Sequence, residues 1–189
     1  MKNILPYRGL TPIIDPSTWI APNAFVCGDV TIGKNVGIWF GCSIRGDVAK
    51  IHIGDDTNIQ DNSIIHVTRA NHAQNKTGDA GAPTYIGKGV TIGHGAIIHA
   101  CTIEDYAFIG MGAIVMDLSK VEKYGMLAAG AVLTPGKVIK SGQIWAGNPA
   151  KYFRDLTKIE SDYINTSADN YVELMKEYKL PNIEDIFQK

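Results

Sequence analysis

Three histidines, His66, His94 and His99, share this chain with an arginine, a glutamine and an aspartate (Arg45, Gln60, Asp61) at spacings that could assemble a metal site. Neutral imidazole is the commonest metal ligand among side chains. Three imidazoles with one open position form the coordination of a catalytic zinc centre, where bound water ionises near neutral pH. His66 and His99 each directly follow an aliphatic residue, Ile65 and Ile98, and Arg45 follows Ile44 in the same way. His94 and Asp61 share a second, equal offset, each two places after an isoleucine (Ile92, Ile59).

Those aliphatic residues belong to a repeat. They recur every six positions, often with Gly next, at Val26, Ile32, Ile38 and Ile44, then Ile53, Ile59 and Ile65, then Ile86, Ile92 and Ile98, then Ile103, Ile109 and Val115. Hexapeptide periodicity marks a β-helix. Three hexads make one triangular coil of about 18 residues, each aliphatic residue pointing inward, and successive coils stack about 4.8 Å apart. The expected fold is mostly β, a left-handed parallel β-helix with a C-terminal α-helix packed on its flank.

Two insertions interrupt the period, one of three residues between Ile44 and Ile53 and one of fifteen between Ile65 and Ile86. Allowing for them, Arg45, His66 and His99 stand one coil apart in a single outward column, and Asp61 and His94 form a neighbouring column beside Gln60. Within one chain His94 lies on the previous face or corner of the triangle. In a trimer of triangular prisms it can face the His66/His99 column of the next chain. His52 and His72 fall outside both columns and read as structural and loop residues.

The long insertion, roughly 66–85, holds Asn71, Asn75, Gly78, Asp79, Gly81 and Pro83, which is loop chemistry. Loops this long in a tight repeat are more often functional than idle. Residues 1–18 read as an N-terminal lead-in and cap, 19–150 as the β-helix and 151–189 as a C-terminal helical segment. In that segment Tyr171, Leu174, Met175 and Tyr178 have helical spacing, with Ser167 or Asp169 as a start and Pro181 as a stop. A short turn of helix at 155–163 could precede it.

The 189 residues suit one domain with a small appendage. A formal net charge of −1 leaves no electrostatic footprint for nucleic acid or an anionic membrane. No apolar run reaches the roughly 18–20 residues that span a bilayer. Residues 1–12 lack the charged segment and apolar core of a signal peptide. Cys27, Cys42 and Cys101 are odd in number and widely spaced, so reduced thiols and a cytoplasmic location are expected.

At IRGD (44–47), NIQDNSIIH (58–66) and VTIGHGAIIHACTI (90–103) the chain resembles the γ-class carbonic anhydrase family of hexapeptide-repeat proteins. The resemblance extends through WAGNPAKYFR (145–154) and the C-terminal helix. It implies a homotrimer with interfacial metal sites, His66 and His99 coming from one chain and His94 from its neighbour. It implies an interfacial salt bridge of Arg45 with Asp47, Gln60 on the metal-bound water or bicarbonate, and Asp61 in support. Tyr171, in NYVEL, matches a tyrosine that approaches the metal in the family, and also reads as a helix-face packing residue. The implied reaction is reversible hydration of CO2 to bicarbonate. The metal would be Zn2+, with Fe2+ or Co2+ as alternatives, since imidazole suits all three. The sequence departs from the family at its proton-shuttle glutamates: Val48 follows Asp47, and the long insertion offers only Asp79 as an acid. Two other functions share the fold, an acyl-CoA-dependent acyltransferase, which needs one histidine as general base, and a metal-binding scaffold.

Overall fold

A computed structural model describes residues 3–69 and 81–179. The hexads fold into a β-solenoid of about seven turns followed by one helix. Each turn contributes a short parallel strand to each of three faces. The first face stacks Phe25–Val26, Ser43–Ile44, Ile64–Ile65, Ile97–Ile98, Ile114–Val115 and Val132–Leu133 in register. A second face runs from Ile13–Ile14 through His52–Ile53 and Thr102–Ile103 to Val138–Ile139. The third runs from Trp19–Ile20 through Asn58–Ile59 and Phe108–Ile109 to Met126–Leu127. The second residue of each pair points inward, and Ile38, Ile53, Ile59, Ile65, Ile86, Ile92, Ile98 and Ile109 are wholly buried. Small buried residues precede the strands of the first face: Ala24, Cys42, Ser63, Ala96, Ala113 and Ala131. The polar atoms there are satisfied, Ser63 Oγ donating to the Gly93 carbonyl and Cys42 Sγ to that of Gln60.

The lead-in supplies strands of its own. Ile4–Leu5 pairs with Val26–Cys27, and Ile13–Ile14 with Thr31–Ile32. At the other end Lys151–Asp155 turns back antiparallel on Gln143–Ala146 and covers that strand's open edge. No helix among the described residues is long and apolar enough to cross a membrane.

The C-terminal helix is one continuous element, Lys158–Tyr178, beginning about ten residues before Ser167 and Asp169. Its start is a capping box. Glu160 N donates to the Thr157 hydroxyl at 3.3 Å, and Thr157 N donates to the Glu160 carboxylate at 2.9 Å. Arg154 adds a two-pronged grip on Glu160 and, with Thr157, pulls its carboxyl down to about 2. Ser167 is buried in mid-helix against Thr91, and Leu174 faces outward. The packing face is Ile164, Ala168, Tyr171, Met175 and Tyr178. It lies on the third face of the solenoid, where Tyr178 meets Trp19, Trp39 and Phe40. Thr157→Ala is expected to cost about 1 kcal/mol of local stability. Hydrogen exchange at 158–161 reads it, and unchanged protection there would mean that the cap does not hold the first turn.

Candidate metal centre

The corner between the first and second faces carries the first column. Cys27 is in register with Arg45, Ile44 with Ile65, and His66 with His99. The three-residue insertion lengthens the strand Ser43–Ile53 as it rounds this corner, so that Gly28 pairs with Gly46 but Val30 with Ile51. The coils nearly touch there: a Cβ on Gly28 would lie 2.3 Å from the Gly46 carbonyl oxygen. The surplus residues swing Asp47 outward against the histidines. Its Oδ1 lies 2.9 Å from His66 Nε2, and its Oδ2 accepts from Arg45 Nη1. The Arg45–Asp47 pair thus closes within one chain.

His99 has a carboxylate of its own. Its Nδ1 lies 2.6 Å from Asp117 Oδ1, and Thr68 Oγ1 donates to Asp117 Oδ2. Burial pushes both aspartates up, but their hydrogen bonds outweigh it and hold Asp47 and Asp117 below the usual carboxylate range. Burial also drives the His66 imidazole below its usual range, partly offset by Asp47.

These partners fix where the ring protons sit. An ionised carboxylate only accepts, so His66 presents Nε2–H to Asp47 and His99 presents Nδ1–H to Asp117. In neutral rings the remaining nitrogens, His66 Nδ1 and His99 Nε2, carry lone pairs. They face each other at 3.2 Å. Two imidazole nitrogens bound at about 2.0–2.1 Å to one tetrahedral Zn2+ stand about 3.3–3.4 Å apart. The pair therefore fits a shared cation by both donor chemistry and spacing. It borders a cavity of about 500 Å³ that extends past Met116, Leu118 and Pro135.

His94 lies at a different corner, where the third face turns into the first. Its Nδ1 meets Asp61 Oδ2 at 2.8 Å, and among the described residues Nε2 has no carboxylate partner. Beside it, a cavity of about 300 Å³ under the helix is bordered by Gln60, His94, Phe108, Met111 and Tyr171. Tyr171 does both things its position allows, packing edge-on against Trp39 and bordering this cavity. Burial, with Asp61 nearby, pushes its phenol up. Gln60 is buried and donates from Nε2 to Asn58 Oδ1 at 3.1 Å, so its carbonyl oxygen is left for the cavity. Asn58 in turn donates to Thr91 Oγ1.

The His66/His99 pair and His94 thus stand at two corners of one chain, and the cavities beside them share no lining residue. Among the described residues no three His, Cys, Asp or Glu side chains meet as a metal site within one chain. His52 is exposed on the second face beside Tyr85, and lines neither of these cavities. His72 and Asp79 lie outside the described residues. Sequence reasoning missed Asp117, Thr68 and Asn58. Asp117 stands 18 residues after His99, which is one place beyond the column because the coil there is one residue short.

No family model matches the chain. Its sequence is 46% identical over 94% of its length to "Gamma carbonic anhydrase 2, mitochondrial" of Arabidopsis thaliana, of which it spans 62%. It is 39% identical to a protein named carbonic anhydrase from Geobacillus kaustophilus, over 93% of this chain and 91% of that one. Among solved structures, a hexapeptide transferase family protein from Anaplasma phagocytophilum matches with a TM-score of 0.86 and 49% identity. That match covers 94% of this chain and 99% of the other.

Proposed function

Because this chain belongs to the γ-class carbonic anhydrase family of hexapeptide-repeat proteins, we propose that it hydrates CO2 to bicarbonate at metal centres shared between the chains of a homotrimer. The observation that carries this reading is the facing pair of ring nitrogens, His66 Nδ1 and His99 Nε2, each ring held by a carboxylate at its other nitrogen. His94 of the adjoining chain, steadied by Asp61, supplies the third nitrogen. A divalent cation held by three imidazoles supplies the acidity that makes hydroxide available from water near neutral pH.

The chain's other residues do the rest. Gln60 offers its carbonyl oxygen to a proton of the attacking water and so orients the oxygen's lone pair toward carbon. Its amide cannot flip without breaking the bond to Asn58. Phe108, Met111 and Met126 give the cavity an apolar wall suited to a small nonpolar substrate. Tyr171, kept protonated by burial, donates to an oxygen of the forming bicarbonate. One water and one CO2 give bicarbonate and one proton, and that proton must leave. With Val48 in the place of an acid, buffer carries it, and the rate is expected to rise with buffer concentration.

Stopped-flow CO2 hydration on protein of measured metal content tests the reading. Zinc-loaded protein is expected to exceed chelator-stripped protein by more than about 100-fold. Stoichiometric metal without hydration would discard the substrate and keep the centre. A second reading, acyl transfer from an acyl-CoA, draws support from the transferase name of the 49%-identical structure. It uses one histidine as a base and leaves the paired carboxylate clamps without a task. A thermal shift with coenzyme A but none with zinc would favour it.

A further inference from the structure

We infer that Asp117, pinned by Thr68, is the positioning residue that fixes His99 in its Nδ1–H tautomer and so aims the Nε2 lone pair at the nitrogen of His66. The inference rests on the metal-centre reading above, but its first consequence concerns the metal-free chain.

Asp117 reaches His99 because one coil is short. The step from Ile98 to Ile103 is five residues, so Ile98 pairs with Val115 and Asp117 stands one place beyond the column. Leu118, with φ +60°, turns the chain there, its N–H donating to the Ala100 carbonyl. Both carboxylate oxygens of Asp117 are committed, one to His99 and one to Thr68. Thr68 is itself held, its N–H and carbonyl both paired with Ala82 at 3.1 and 3.0 Å. Those bonds close the base of the long insertion. The Thr68–Ala82 bridge is therefore tied, through one hydroxyl and one carboxylate, to the ring of His99. Hydrogen bonds to an ionised acceptor are the strong ones, and a ligand histidine with its second nitrogen so engaged is locked in tautomer and orientation. Asp47 does the same for His66 from the opposite end, through Nε2 rather than Nδ1. The two clamps together leave only the facing nitrogens free.

The test uses the full chain, labelled with 15N-histidine and treated with chelator, at about pH 8, above the ordinary imidazole range. Long-range 1H–15N correlations report which ring nitrogen of His99 carries the proton, the ring being assigned by its loss in His99→Ala. The proton is expected on Nδ1 in the unaltered chain, on Nε2 for the most part in Asp117→Ala, and again on Nδ1 in Asp117→Asn, whose amide oxygen still accepts. Asp117 is about one-third exposed (34%), and Asp117→Asn keeps its shape, so a folding failure of the alanine variant leaves the Asn and Thr68→Val variants to decide. Zn2+ affinity, read by competition with a chromogenic chelator, is expected to fall about 10–100-fold in Asp117→Ala and less in Thr68→Val. An Nδ1–H ring that persists in Asp117→Ala, or unaltered Zn2+ affinity in that variant, overturns the inference. An Nδ1–H ring lost in Asp117→Ala, in a chain that binds no Zn2+ at all, sustains the positioning role and defeats the metal reading instead.

Discussion

Chains carrying His94→Ala and chains carrying His99→Ala are each expected to lose stoichiometric zinc and CO2 hydration, and a mixture of the two to regain about a quarter of both. The arithmetic follows from a ring of three chains with head-to-tail contacts. In the proposed trimer each centre takes His66 and His99 from one chain and His94 from the next. A His94→Ala chain keeps a sound histidine pair, and a His99→Ala chain keeps a sound His94. In random 1:1 association about three quarters of the trimers are mixed, and each mixed ring contains one repaired centre in three, hence about a quarter of all centres. The control is sharper still. Replacing His94→Ala by His66→Ala is expected to abolish recovery, because His66 and His99 stand in register on adjacent coils of one chain and cannot complement each other. Zinc content and stopped-flow rate on co-refolded mixtures read the outcome. Retained zinc in His94→Ala would remove His94 from the ligand set. Loss in both single variants without recovery in the mixture would place all three ligands in one chain, against the separation of the two corners.

The histidine column was legible in the sequence because a solenoid converts spacing into position, and counting across the insertions brings His66 and His99 together. Their pairing in the structure follows that count residue for residue. The carboxylates were less legible. Asp47 touches His66 because three surplus residues swing the strand outward at a corner, and a count that only subtracts an insertion says nothing of where it points. Asp117 was hidden by the five-residue step, which moves it off the hexad phase that placed the others. The helix start was misplaced for a different reason. Thr157 and Glu160 spell a capping box, but the apolar spacing drew the boundary toward Tyr171, and the first turns are polar, with Ile159 80% exposed. Leu174 has helical spacing yet points away from the solenoid, because the side face is set by Gly37 and Trp39, where Met175 and Tyr171 settle. Periodicity names a stripe, and the receiving surface decides which edge of the stripe is covered.

The same solenoid logic makes the core beneath the histidines the place where stability and chemistry meet, and Ile65→Ala is expected to cost about 2–5 kcal/mol. Ile65 is wholly buried and stacked in register between Ile44 and Ile98. Its neighbours cannot close the gap cheaply, because backbone bonds of 2.9–3.0 Å tie the adjoining coils at the same rung. A rung held from above and below keeps its cavity, which is the condition for the upper part of that range. The loss is to be read from urea unfolding at one fixed protein concentration, since assembly makes stability concentration-dependent. Ile159→Ala, at an exposed position on the helix, is the control and is expected to stay within about 0.5 kcal/mol. His66 is the very next residue, so slack at Ile65 loosens the ring that Asp47 aims. Zinc affinity is therefore expected to fall together with stability in Ile65→Ala. In Val121→Ala, equally buried but on the second face and more than one coil away, stability alone is expected to fall. Equal loss of zinc affinity in both variants would mean that the column reports the firmness of the whole solenoid rather than of its own rung.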